Sequence, residues 1–144
     1  MFVPQKTQIY VLFIFLTGMI SCAKMSDENA LKQRIIDLVQ VIEAHDDNEI
    51  ADFLTSDFMA GNNSNKETFN LFIRYHLQRN KNISIVRANE KININGVIAD
   101  VTADVYLTGA SGWLPQQGQK YRVESRWKKE KDTWLIQRLR WRSE

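Results

Sequence analysis

The chain has 144 residues, 44% hydrophobic and 25% charged, with a formal net charge of +2. That composition suits one globular domain that buries about two-thirds of the surface its unfolded chain exposes, and the near-neutral balance excludes a polyanion binder by default. One cysteine, with no zinc-ligand cluster, phosphate-binding glycine loop or paired-cysteine motif, leaves the common metal, nucleotide and redox chemistries without support. The charge is uneven: carboxylates from Asp27 to Asp57 crowd the first half of the polar region, and basic residues from Lys120 to Arg142 crowd its end. Two solvated faces that partly neutralise each other account for this better than a nucleic-acid patch.

In chain order, the apolar run "IYVLFIFLTGMI" comes first. It is too short for a transmembrane helix, which needs about 20 residues, but it fits the apolar core of a secretory signal preceded by Lys6. The segment Met19-Ile20-Ser21-Cys22 that follows resembles a bacterial lipobox. The resemblance implies a diacylglyceryl thioether on Cys22, cleavage before it, and acylation of the new amine. Two or three acyl chains anchor stably, where one is marginal. Ala23 rather than Asp after the cysteine resembles the outer-membrane sorting default. The alternatives are a secreted protein with a free thiol and an N-terminal anchor. On the lipoprotein reading, residues 1–21 are signal peptide, 22–25 a lipidated tether, and 26–144 the domain, held at the outer membrane and facing the periplasm.

Ser26 caps the first predicted helix, whose apolar stripe is Leu31, Ile35, Leu38, Val39 and Ile42. Asp46 and Glu49 form a capping box for a second, short helix with Ile50, Phe53 and Leu54 inward. "SDFMAGNNSN" is read as a connection, and Ser64 with Glu67 as the capping box of a third helix that buries Phe69, Phe72, Ile73, His76 and Leu77. From Ile83 the period changes to two. "VRANEKINI" and "IADVTADVYLT" read as strands joined at Asn95-Gly96, a strong hairpin signal. In the second strand Ala99, Val101, Ala103, Val105 and Leu107 share one face, and Thr102, Asp104 and Tyr106 belong to the other. "GASGWLPQQGQ" is a long connection whose apolar tip, Trp113, either folds over the core edge or covers a pocket mouth or partner site. "KYRVESRWKK" and "TWLIQRLRWRS" follow as strands across "EKD". Helices first and an antiparallel meander after them define an α+β class with helices on one side of the sheet.

This order, with Ser56-Asp57-Phe58, Arg126-Trp127 and Trp134-Leu135-Ile136, resembles the nuclear transport factor 2-like superfamily, a cystatin-like cone shared with ketosteroid isomerases and polyketide cyclases. Trp127 and Trp134 are spaced as in the association domain of calcium/calmodulin-dependent kinases. The resemblance implies a pocket between helices one and three and the concave sheet face, with Ser125, Trp127, Leu139 and Trp141 facing it and His76 and Tyr106 as further ligand-binding candidates. It also implies a homodimer through the sheet. The family register would place Thr102 in the pocket, whereas the apolar pattern places it outside.

An isomerase of this kind needs a carboxylate base beside an apolar pocket and a proton donor. Asp57, Asp104, Tyr75, Tyr106 and His76 could supply them, yet Asp57 reads more simply as a turn residue and Asp104 as a strand partner of Arg122 or Arg126. His76 reads as a satisfied core histidine and His45 as a capping residue at a helix junction. No catalytic residue, cofactor or metal is assigned. Arg138, Arg140 and Arg142 share one strand face, where they meet Glu124, the aspartates of the second strand or an anionic ligand. The expectation is a non-catalytic, envelope-anchored binding domain for a small hydrophobic or anionic ligand, without nucleic acid; the alternative is a small-molecule isomerase or cyclase.

Overall fold

The computed structural model describes residues 24–61, 63–109 and 118–144. The expectations for Cys22 and for Trp113 lie outside these residues.

Helix α1 (Asp27–Glu43) begins where Ser26 Oγ accepts the Asn29 N–H at 3.3 Å. Asp27 and Glu28 in its first turn complement the positive end of the helix dipole. Leu31 and Ile35 are buried, so the predicted stripe is the packing face. Helix α2 (Asp47–Ile50) is capped by Asp46, whose carboxylate accepts the Glu49 N–H at 3.3 Å, and runs into a short 3-10 turn over Ala51–Phe53.

Where a connection was expected, the chain forms strand β1 (Leu54–Ala60) and the two-residue strand β2 (Ser64–Asn65). Ser, Asp, Gly and Asn are turn formers, and β1 buries Leu54, Thr55, Phe58 and Ala60 without strict alternation. Its strand character comes from pairing in parallel with the distant last strand, with an irregularity between Leu54 and Met59. Helix α3 (Lys66–Arg79) starts one residue later than expected: Asn65, not Ser64, caps it, accepting the Thr68 N–H at 2.9 Å.

Strands β3 (Ile83–Asn95), β4 (Ile98–Gly109), β5 (Gln119–Glu130) and β6 (Thr133–Ser143) form the meander. The six-stranded sheet has the order β2-β1-β6-β5-β4-β3. Asn95 pairs with Ile98, so the first hairpin turns through Gly96-Val97, one residue beyond the expected pair. Gly96 takes φ 61° at the first central position, where a side chain would be strained. The last hairpin turns through Lys131-Asp132, both with positive φ (48° and 63°), the backbone twist that matches paired strands.

β3 and β6 are each interrupted by an extra residue, β3 between Ala88 and Lys91 and β6 at Gln137, between Ile136 and Arg138. Such irregularities bend strands, and here they curve the sheet toward the helices. The core lies between α1, α3 and the concave face, built on Leu31, Phe58, Phe69, Trp127 and Trp134. The α+β class with helices on one face is therefore the observed one.

Candidate functional site

The concave face is not filled. Between α1, α3 and strands β3 to β6 lies a cavity of about 270 Å³. Its deep end is formed by Ile35, Val101, Trp127 and Ile136, which are 7%, 5%, 2% and 3% exposed. Its open end lies near the C-terminal end of β6 and the outer face of α3, where Phe72 and Trp141 are 41% and 42% exposed. Their rings stack at 6.4 Å with an interplanar angle of 26°. Phe72, expected in the core, is thus a rim residue.

The walls are hydrocarbon and aromatic, because three periodic patterns converge on them. α1 contributes Leu38, Val39 and Ile42; β4 contributes Ala103, Val105 and Leu107; β5 and β6 contribute Val123, Leu139 and Trp141. Of the uncharged polar side chains on this wall, Tyr121, Ser125 and Trp127, the last two satisfy each other. Trp127 Nε1 donates to Ser125 Oγ at 2.9 Å, and the Ser125 hydroxyl donates to the Val101 carbonyl at 3.4 Å.

Two charged side chains break the apolar lining: Arg87 and Glu90, the only ones on the wall among the described residues. On β3, Arg87 pairs with Val105 and Ala88 with Asp104, but the next paired residue is Lys91, opposite Thr102. Asn89 and Glu90 are therefore left opposite Ala103. Both Val105 and Ala103 face the cavity, so Arg87 and Glu90 turn inward with them. Asn89 adopts φ 52°, and its side-chain amide donates to Asp104 Oδ2 at 2.7 Å, which ties the irregularity to the outer face. Arg87 Nη1 donates to Glu90 Oε2 at 2.5 Å, each side chain being about a quarter exposed (24% and 22%). Sequence reasoning missed this pair, yet a signal was present. The isoleucines of β3 sit at odd positions, Ile83 and Ile85, and then at even ones, Ile92 and Ile94. A change of parity inside one strand marks an inserted residue.

The expected ligand-facing residues divide. Ser125, Trp127, Leu139 and Trp141 are on the cavity wall. Tyr106 is not: it lies between the inward Val105 and Leu107, faces the outer side opposite Lys120, and is 40% exposed. Thr102 is on the outer face too, so the apolar pattern, and not the family register, describes β4. His76 does not line the cavity either. One helical turn beyond Phe72 and Ile73, its ring packs against Phe72 at 4.3 Å and Tyr75 at 5.2 Å. Burial, and secondarily the nearby Arg79 charge, lower its pKa, so it is neutral at pH 7.

The candidate catalytic groups are also directed elsewhere. Asp57 is exposed, and a hydrogen bond from Gln137 at 2.8 Å lowers its pKa. Tyr75 is 54% exposed under the Arg79 guanidinium. Asp104 is buried, but on the outer face, with Arg122 Nε at 2.8 Å and Lys120 Nζ at 3.7 Å. The Asn89 hydrogen bond, then these two cations, hold its carboxyl below the usual carboxylate range. Among the described residues no cluster of three His, Cys, Asp or Glu could hold a metal ion.

On the outer face Arg138, Arg140 and Arg142 stand opposite Arg126, Glu124 and Arg122. The cross-strand pairing expected for them does not form: none makes an ion pair with another described residue. The aspartates of β4 lie one strand farther away and are taken by β5, Asp100 by Arg126 at 2.8 and 3.1 Å and Asp104 by Arg122.

No family model matches the chain, and no curated protein matches it. Solved structures do share its architecture. A nuclear transport factor 2-like protein from Cytophaga hutchinsonii superposes with a TM-score of 0.70 at 15% identity, covering 83% of this chain and 100% of that one. A protein from Xanthomonas campestris, proposed to be a calcium/calmodulin dependent protein kinase II association domain, gives 0.71 at 12% identity over 83% and 89%. A protein of the same fold family from Streptomyces avermitilis, proposed to be a dehydratase, gives 0.70 at 12% identity over 78% and 91%. The chain has the nuclear transport factor 2-like fold. At this identity the likeness carries the fold and no activity.

Proposed function

We propose that this protein is a lipid-anchored envelope protein whose nuclear transport factor 2-like domain binds an apolar small molecule without transforming it. The observation that carries the binding role is the cavity: a concave, mostly preformed apolar space with few polar groups is the ordinary form of a small-molecule site. The isomerase or cyclase reading has less to build on. Acid–base chemistry needs an uncommitted ionisable pair, and among the described residues the only carboxylate on the wall, Glu90, is held by Arg87. The anchor rests on the placement of Cys22 after the apolar run.

Val123 is half-buried on the wall, paired with Ala103 on one side and Trp141 on the other. Val123→Trp extends an indole into the void. The wild type is expected to bind the neutral fluorophore N-phenyl-1-naphthylamine with a rise in emission, and Val123→Trp to lose that rise with an unchanged circular dichroism spectrum. A folded variant that binds as well as wild type would show that the cavity is not the binding site.

A further inference from the structure

We propose that Arg87 and Glu90 are the polar end of this cavity, and that they select an amphiphile with a single carboxylate head on a medium-length hydrocarbon chain. The inference rests on the binding role proposed above and names the ligand class for the same site.

Placing a charged pair on a hydrocarbon wall is unfavourable unless it is used, because both ions lose water there. β3 nevertheless inserts one extra residue at Asn89-Glu90 so that both charged side chains turn inward, and the rest of the wall carries no charge. The other polar side chains on the wall are uncharged: Ser125 and Trp127 satisfy each other, and Tyr121 carries a neutral hydroxyl. A ligand with a charged head therefore has one place to put it.

The choice of an anion follows from the chemistry of the two groups. A guanidinium carries five N–H donors and cannot be deprotonated, so it always needs an anionic partner. Glu90 occupies only Nη1 of Arg87, so other donors remain to receive a second carboxylate. With an anionic head bound, Glu90 turns to the solvent that already reaches it, and the guanidinium keeps one carboxylate partner. With a cationic head bound to Glu90, the guanidinium would be left as an excess charge in an apolar wall, with no means of neutralising itself.

The size of the cavity bounds the tail. A cavity of about 270 Å³, open at one end, admits a hydrocarbon chain of medium length. Ten-carbon probes are therefore suitable: decanoate, decanol and decylamine are unbranched ten-carbon chains that differ only in the oxidation state and substituent of the first carbon. Calorimetric titration into the wild type, Arg87→Gln and Glu90→Gln tests the assignment. Arg87→Gln is expected to weaken decanoate by tenfold or more and to leave decanol within about twofold. Glu90→Gln, which removes the competing carboxylate, is expected to strengthen decanoate severalfold. That gain cannot arise from unfolding, so it keeps the test decisive if Arg87→Gln folds poorly. If decanol binds but decanoate ignores both substitutions, or decylamine binds tighter than decanoate, the head-group assignment is overturned and the apolar site stands. If no probe binds, both readings fall.

Discussion

At the scale of single residues, burial alone does not define a role; the face to which a side chain is turned does. Asp104 is among the most buried polar residues, yet it serves the outer face, where Asn89, Arg122 and Lys120 surround it. Its pKa is lowered in the folded protein, first by the Asn89 hydrogen bond, so the ionised form stabilises the native state. That contribution is present above the unfolded-chain value of about 3.9 and is lost as pH falls through the lower folded value. Asp104→Asn is therefore expected to lower Tm at neutral pH, with the difference from wild type shrinking below about pH 4. Thermal melts of both proteins across pH check this, and a difference constant with pH would mean that the carboxylate charge contributes nothing.

At the scale of elements, the strands show how small irregularities set the site. The shift in β3 turns Arg87 and Glu90 into the cavity, while that in β6, at Gln137, leaves Trp127 opposite Ile136 at its deep end. The β5–β6 turn is a different case, because Lys131 and Asp132 both hold a left-handed backbone that disfavours side chains. The double substitution Lys131→Asn with Asp132→Gly supplies the preferred residues of this turn. It is expected to raise stability by about 1 kcal/mol, since one side chain is relieved of a left-handed cost of roughly 1–2 kcal/mol. The ion pairs that Asp132 makes, at 3.9 Å with side chains as exposed as 81%, contribute little to set against this. Denaturant unfolding measures the change, and an unaltered midpoint would show that strand pairing alone holds the turn.

At the scale of the whole molecule, the domain is a half-filled cone: helices α1 and α3 close one side, and the sheet curves beneath them. One end is packed with Trp127, Trp134 and Phe58 and the other is left open, which divides stability from binding along the same strands. The packed core lies within residues 26–144, so the proposed anchor acts on location and not on folding. Cys22→Ser is expected to move the protein from the membrane fraction to the soluble one with Tm unchanged. Retention in the membrane fraction would discard the acyl anchor.

The sequence by itself determined the class of fold, the helix caps at Ser26 and Asp46, and the inward face of β4, because these depend on periodicity and on contacts within a few residues. The resemblance to the superfamily, and not periodicity, pointed to Ser125, Trp127, Leu139 and Trp141, which line the concave surface. Only the tertiary structure decided the rest. β1 is a strand because a partner some 80 residues away pairs with it, against its own turn-forming composition. Tyr106 and His76 fall outside the cavity because a strand alternates strictly and a helix advances past the rim. Arg87 and Glu90 enter it because a register shift can be located only when both strands are paired, and that pairing is a property of the assembled sheet.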